Sequence, residues 1–158
     1  MNVQIAPAPV RKSILVNAAP ERAFEVFTAG MTRWWDPAHH LGKTALKAVV
    51  LESRVGGRWY EIGEDGSECE WGKVLAFEPP SRLLLAWQID SHWQYDPEFL
   101  TELEVRFIPE DGGTRVELEH RNLDRFGAAA PEVRAAFDAP DGWMGGLERL
   151  RAVLDEAG

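Results

Sequence analysis

Cysteine is nearly absent from this chain. Cys69 stands alone, so no disulfide can close within it. That usage fits a reducing, cytoplasmic setting. No apolar run approaches the roughly 20 residues that a membrane-spanning helix needs. Residues 1–9 contain Pro7 and Pro9 but neither a basic start nor a long apolar stretch. They read as a loose lead-in and not as a signal peptide. Positive charge is scarce: 17 Lys and Arg stand against 26 Asp and Glu, for a net charge of -9. Nucleic acid and anionic membranes attract clustered cations, so neither is an expected partner.

Several chemical signatures are missing as well. Gly56-Gly57 leads into a strand-like Arg58 and not into a helix N-terminus, so no phosphate cradle is indicated. No Gly-x-Ser-x-Gly occurs, which disfavours a serine hydrolase. Asp36, His39, His40, Asp90 and His92 match no zinc spacing, since there is no His pair one helical turn apart and no Cys pair. The expectation is no metal and no cofactor. Cys69 has no basic residue placed to lower its pKa and reads as a structural or exposed thiol.

What is present suffices for one domain over residues 1–158, long enough to bury about 70% of its unfolded surface without staples. The chain is organised around residues 56–89. Strand-like runs at 57–62, 69–78 and 82–89 are separated by Glu64-Asp65-Gly66 and by Glu78-Pro79-Pro80-Ser81, the punctuation of an antiparallel meander. Residues 10–17 and 46–55 have strand composition. Residues 100–108 and 114–121 alternate, with Leu103, Val105, Phe107, Val116, Leu118 and His120 on one face and charged residues on the other. Glu110-Asp111-Gly112-Gly113 between them is a hairpin signal. Pro20 opens a helix that carries Ala23, Phe24 and Phe27, and Gly30 closes it. A short helical piece is expected at 31–36 and another helix at 131–138. At 142–156, Trp143, Leu147, Leu150 and Leu154 form one stripe. The expected class is α+β: about seven antiparallel strands curved around a long C-terminal helix, with two short helices after the first strand.

The residues also carry a resemblance. Ala19-Pro20-Glu21-Arg22-Ala23-Phe24, Trp34-Trp35, Gly56-Gly57-Arg58-Trp59, Gly72-Lys73-Val74, Glu78-Pro79-Pro80 with Arg82-Leu83 and Trp87, the strand 101–107, Gly113-Thr114-Arg115-Val116 and Gly142-Trp143 follow one another in a familiar order. The chain resembles the START-like (Bet v 1-like, SRPBCC) superfamily, and within it the proteins similar to the C-terminal domain of the activator of Hsp90 ATPase. The resemblance implies a helix-grip fold and a cavity, and it transfers no shared catalytic motif. Nothing in the chain corresponds to the N-terminal domain of the full activator.

Three functions follow as expectations. The first is a ligand-binding module whose hydrophobic cavity takes a small apolar or aromatic molecule, walled by Trp87, Leu103, Val105, Val116, Leu118, His120 and Trp143. Seven Trp and seven Phe suit such a wall and equally suit a bulky core. The second is a cyclase or dehydratase, a class the same superfamily contains, using His120 as acid or base, with Tyr60, Glu61, Asp90 and Tyr95 behind it. His120 reads alternatively as a core histidine satisfied by neighbours. The third is a regulator of a protein partner, which would show an exposed apolar patch. A homodimer is among the assemblies this reading allows. Gly145-Gly146 either opens space inside the C-terminal helix or marks a later helix start.

Overall fold

A computed structural model describes residues 7–156 of the chain. The part of the expected lead-in at 1–6 lies outside them. Seven strands form a single antiparallel sheet: β1 (Val10–Val16), β2 (Leu46–Leu51), β3 (Arg58–Gly63), β4 (Glu68–Glu78), β5 (Arg82–Trp87), β6 (Thr101–Glu110) and β7 (Gly113–Arg121). Their order across the sheet is β1-β7-β6-β5-β4-β3-β2, so the first strand closes on the last and the rest meander. Helices α1 (Pro20–Thr28) and α2 (Met31–Trp34) follow β1. A 3-10 segment (Leu123–Ala129), α3 (Ala130–Asp138) and α4 (Trp143–Glu156) follow β7.

The fold is the α+β helix-grip expected from the sequence. The sheet is strongly curled, and α4 lays Trp143, Leu147, Leu150, Val153 and Leu154 into the core. Curvature has local causes. Register shifts interrupt the β3–β4 pairing at Trp59/Tyr60 and the β4–β5 pairing at Val74/Ala76. At Gly72 the strands approach so closely that a Cβ would lie 1.7 Å from the Ala86 carbonyl oxygen. Only glycine fits there. The β6–β7 hairpin turns through Asp111 and Gly112, both at positive φ (52° and 77°), as an Asp-Gly turn requires. Its register places Leu103 opposite His120, Val105 opposite Leu118 and Phe107 opposite Val116. One face of the hairpin is thereby buried over Thr101–Phe107 and Thr114–His120.

The other face is a ladder of charge. Arg121 reaches Glu102, Glu104 and Glu119, and Arg82 reaches Glu104 and Glu78. Glu104 is buried among these guanidinium groups. Burial pushes its carboxyl up, but the hydrogen bonds from Arg121 and Arg82 outweigh that and hold it down at about 2.

Two elements differ from the sequence reading. β2 ends at Leu51 and not at Val55, because Glu52 turns inward: its side chain accepts the Arg58 backbone N–H, and Gly56 (φ 80°) donates to Val74. The 3-10 segment carries no periodic stripe to announce it. It is held by the burial of Leu123 and Phe126, the latter against Phe99 at 4.9 Å.

Candidate functional site

A cleft of about 790 Å³ opens between the sheet, the loop after α2, the loop after β5 and the start of α4. Its walls are aromatic: Trp34, Trp35, Trp71, Trp87, Trp93, Phe137 and Trp143 all contribute. Apart from the adjacent Trp34 and Trp35, each comes from a different element, which is why the fold and not the sequence brings them together. Trp34-Trp35 end α2, Trp71 and Trp87 lie on β4 and β5, Phe137 ends α3, and Trp143 begins α4. The rings form a mesh of tilted and edge-to-face pairs, with Trp35 tilted 4.7 Å from Trp71, and Trp87 edge-to-face 5.6 Å from Trp143 and 5.4 Å from Phe137. Gly145 and Gly146 lie within α4 and line the cleft. A Cβ on Gly146 would lie 3.2 Å from the Trp34 ring, so this glycine lets helix and indole meet.

Most indole N–H groups of the wall already have an acceptor within the protein. Trp34 donates to the Phe27 carbonyl, Trp35 to the His39 carbonyl, Trp71 to Glu61 Oε1, Trp87 to the Ile89 carbonyl and Trp143 to His120 Nδ1. The walls therefore offer ring faces and carbon edges. Polar character comes from the rim, where Asp36, His39, His40, Asp141, Glu148 and Arg149 stand. Arg149 lies 3.6 Å from Asp36.

Of the seven residues expected to wall a cavity, Trp87 and Trp143 line this cleft. Leu103, Val105, Val116, Leu118 and His120 are packed in the core beside it. The space over β6 and β7 is occupied by α1, whose Phe24 and Phe27 rings sit 5.1 and 5.6 Å from Phe107. His120 is fully buried, stacked 4.4 Å from Phe137. It accepts from Trp143 at Nδ1 (3.1 Å), so Nε2 carries the proton and meets Thr101 Oγ1 at 2.8 Å. Burial pushes its pKa down to about 3. Both ring nitrogens are engaged, as in the reading of a satisfied core histidine.

The remaining candidates separate. Tyr60 lies outside the cleft, under the Arg58 guanidinium at 3.9 Å. Asp90 Oδ1 accepts the backbone N–H groups of His92 and Gln94 and so shapes the β5–β6 loop, where Tyr95 is half-exposed. Glu61 is buried on β3 and accepts from Trp71, Leu41 N–H and Gly42 N–H, pinning the loop after α2 to the sheet. Burial and the nearby carboxylates of Glu61 and Asp65 push the Cys69 thiol up, away from the reactive thiolate. Among the described residues no three metal-ligating side chains converge. Sequence reasoning missed Phe137, Ile89 and the His39-His40 loop as wall. Only Trp34-Trp35, immediately before that loop, hinted at it.

A family model, Activator of Hsp90 ATPase homolog 1-like protein, matches residues 17–155. Txn09, an anthrahydroquino-gamma-pyrone synthase, is 43% identical, with 94% of this chain and 97% of that one covered at a TM-score of 0.66. CalC from Micromonospora echinospora, a self-sacrificing resistance protein, is 31% identical over 96% of each chain, with a TM-score of 0.72. Aha1 from Colwellia psychrerythraea, solved as a dimer, is 16% identical over 94% of this chain and 96% of that one at a TM-score of 0.63, a likeness of fold alone. A search of curated proteins returned no match.

Proposed function

The chain belongs to the family of Activator of Hsp90 ATPase homolog 1-like proteins, and from that premise we propose that it is a ligand-binding domain whose cleft takes a planar, fused-ring aromatic molecule. The observation that carries this is the wall itself. Indole and phenyl rings surround about 790 Å³, a volume within the range of small-molecule sites. With most indole N–H groups already bonded within the protein, affinity would come from stacking and apolar burial, which flat polycyclic molecules supply best. The 43% identical relative named for an anthrahydroquinone-derived product supports the same chemical class.

A titration of tryptophan fluorescence with hydroxylated anthraquinones tests this. The expected result is saturable quenching in the wild type and its loss in Ala139→Phe, which fills the cleft from its rim while leaving circular dichroism unchanged. Quenching that survives in that variant places the ligand elsewhere and refutes the reading.

A second reading, an enzyme that closes a ring on such a molecule, is favoured by the synthase name of the same relative. Incubation with an open-chain ortho-acyl phenol, followed by chromatography for the cyclised product, decides it. Regulation of a protein partner draws less support, because the outer sheet face carries paired charges where that reading needs an apolar patch. Self-association into a homodimer and a cytoplasmic location belong to the same proposal, and sedimentation velocity measures the first. Among the described residues no helix is long and apolar enough to cross a membrane.

A further inference from the structure

The geometry points to His40 as the cleft's proton acceptor for a phenolic hydroxyl, with Glu61 as the residue that positions it. The inference rests on the reading of the cleft as a site for planar aromatic molecules and names the functional group it acts on. A carbonyl oxygen only accepts. The 2.9 Å contact between His40 Nδ1 and the Gly42 carbonyl therefore requires the proton on Nδ1. In the neutral ring Nε2 then carries the lone pair. His40 is half-buried and lines the cleft, and among the described residues Nε2 has no protein hydrogen-bond partner. His120 is the opposite case, with both nitrogens engaged in the core.

The loop that carries His40 has no helix or strand of its own. Glu61 supplies its rigidity. One carboxylate oxygen accepts the Leu41 N–H together with the Trp71 indole, and the other accepts the Gly42 N–H at 3.1 Å. Gly42 is thus held by its N–H on Glu61 and holds His40 by its carbonyl. A buried group on the sheet thereby fixes both the tautomer and the orientation of a group in the cleft.

The step is a proton transfer. The ligand O–H bond breaks, the Nε2–H bond forms, and the electron pair stays on the phenolate oxygen. In an intramolecular closure that oxygen bonds the β-carbon of a conjugated ketone of the same ligand. The π pair moves to the α-carbon, and the proton on Nε2 returns there, leaving the imidazole neutral. No further reactant is needed.

The probe is 2-hydroxyanthraquinone, whose phenolate absorbs at longer wavelength than the phenol, in a buffer where the free probe is mostly protonated. Binding to the wild type should raise the phenolate fraction about fivefold, equivalent to ~0.7 unit in the probe's acidity. His40→Gln should still quench tryptophan fluorescence yet leave the phenolate fraction as in free solution. Arg151→Gln, which removes an exposed cation of α4 outside the cleft, should keep the increase. In the ligand-free protein, long-range ¹⁵N–¹H spectra should show His40 protonated on Nδ1. Glu61→Gln should mix the two tautomers. Gly42→Ala gives a second route to the same disturbance, because its methyl would lie 3.2 Å from Glu61 Oε2. Quenching without phenolate in the wild type, a phenolate increase that survives His40→Gln, or a His40 ring protonated on Nε2 overturns this inference alone. A single, unchanged tautomer in both positioning variants overturns the role of Glu61. Absence of any quenching in the wild type overturns the cleft reading, and this inference with it.

Discussion

Mild acidification should destabilise this protein through His120 before most of its carboxylates titrate. The ring has no solvent exposure, accepts the Trp143 indole N–H at Nδ1 and meets Thr101 at Nε2. A proton on Nδ1 would face the indole N–H, donor against donor, inside the core. Burial accordingly lowers the folded pKa from 6.5 to about 3. The unfolded chain takes up this proton near 6.5 and the folded chain refuses it until about 3. The contribution is therefore complete above 6.5 and is lost as the pH falls toward 3. Between about pH 7 and about pH 4.5 the loss amounts to roughly 2–3 kcal/mol, since each pH unit below the unfolded pKa removes a little over 1 kcal/mol. Urea unfolding at the two pH values measures it. His120→Gln serves as the reference, because its amide accepts from Trp143 and donates to Thr101 without titrating. The wild type should lose roughly 2–3 kcal/mol more than the variant over this interval. Equal losses, within about 0.5 kcal/mol, would mean that His120 is hydrated or charged in the folded state and would refute the argument.

Other outcomes follow from single contacts. Leu150→Ala, at a fully buried position on α4, should cost about 2–5 kcal/mol by chemical denaturation, and a loss under about 1 kcal/mol would remove it from the core. Glu104 is held ionised down to about 2 by Arg121 and Arg82, so its contribution is present above 4.5 and fades as the pH falls toward 2; Glu104→Gln should flatten that acid limb of the stability curve. Gly72→Ala should prevent folding or distort β4, visible as loss of near-ultraviolet circular dichroism, since its methyl meets the Ala86 carbonyl. Protein dialysed against a chelator should hold no stoichiometric zinc, iron or copper; one retained equivalent would direct attention to His39, His40 and His92.

The strands and α-helices, unlike the 3-10 segment, were legible because local signals announce them. Alternation fixes the face of β6 and β7, Asp-Gly fixes their turn, and Pro20 fixes the start of α1. The stripe of α4 is periodic over its whole length. The cleft was legible only in part, since its walls combine loops and element ends with one face of α4. Trp87 closes a strand and Trp143 opens a helix, and both line the cleft. Phe137 and His40 carry no periodic signal, and their neighbourhood exists only after the loops close. Alternation identified the buried side of His120 correctly but could not tell a packed interior from an open one. That distinction depends on where Phe24 and Phe27 of α1 come to rest, a long-range fact.

The aromatic mesh has an optical consequence. Trp34, Trp35, Trp59, Trp71, Trp87 and Trp143 form an unbroken series, each ring within 6.4 Å of another. At such separations electronic excitation migrates among indoles faster than any one of them emits. The six behave as a single antenna that drains to whichever ring has the lowest excited state. An acceptor molecule seated against one member would darken all of them, so emission reports whether the cleft is filled and says nothing about which wall is touched. Removing one tryptophan would reroute the excitation without silencing the response. Coupled transitions should also give the near-ultraviolet spectrum a split band that isolated tryptophans lack, and loss of that splitting would mark disruption of the mesh itself.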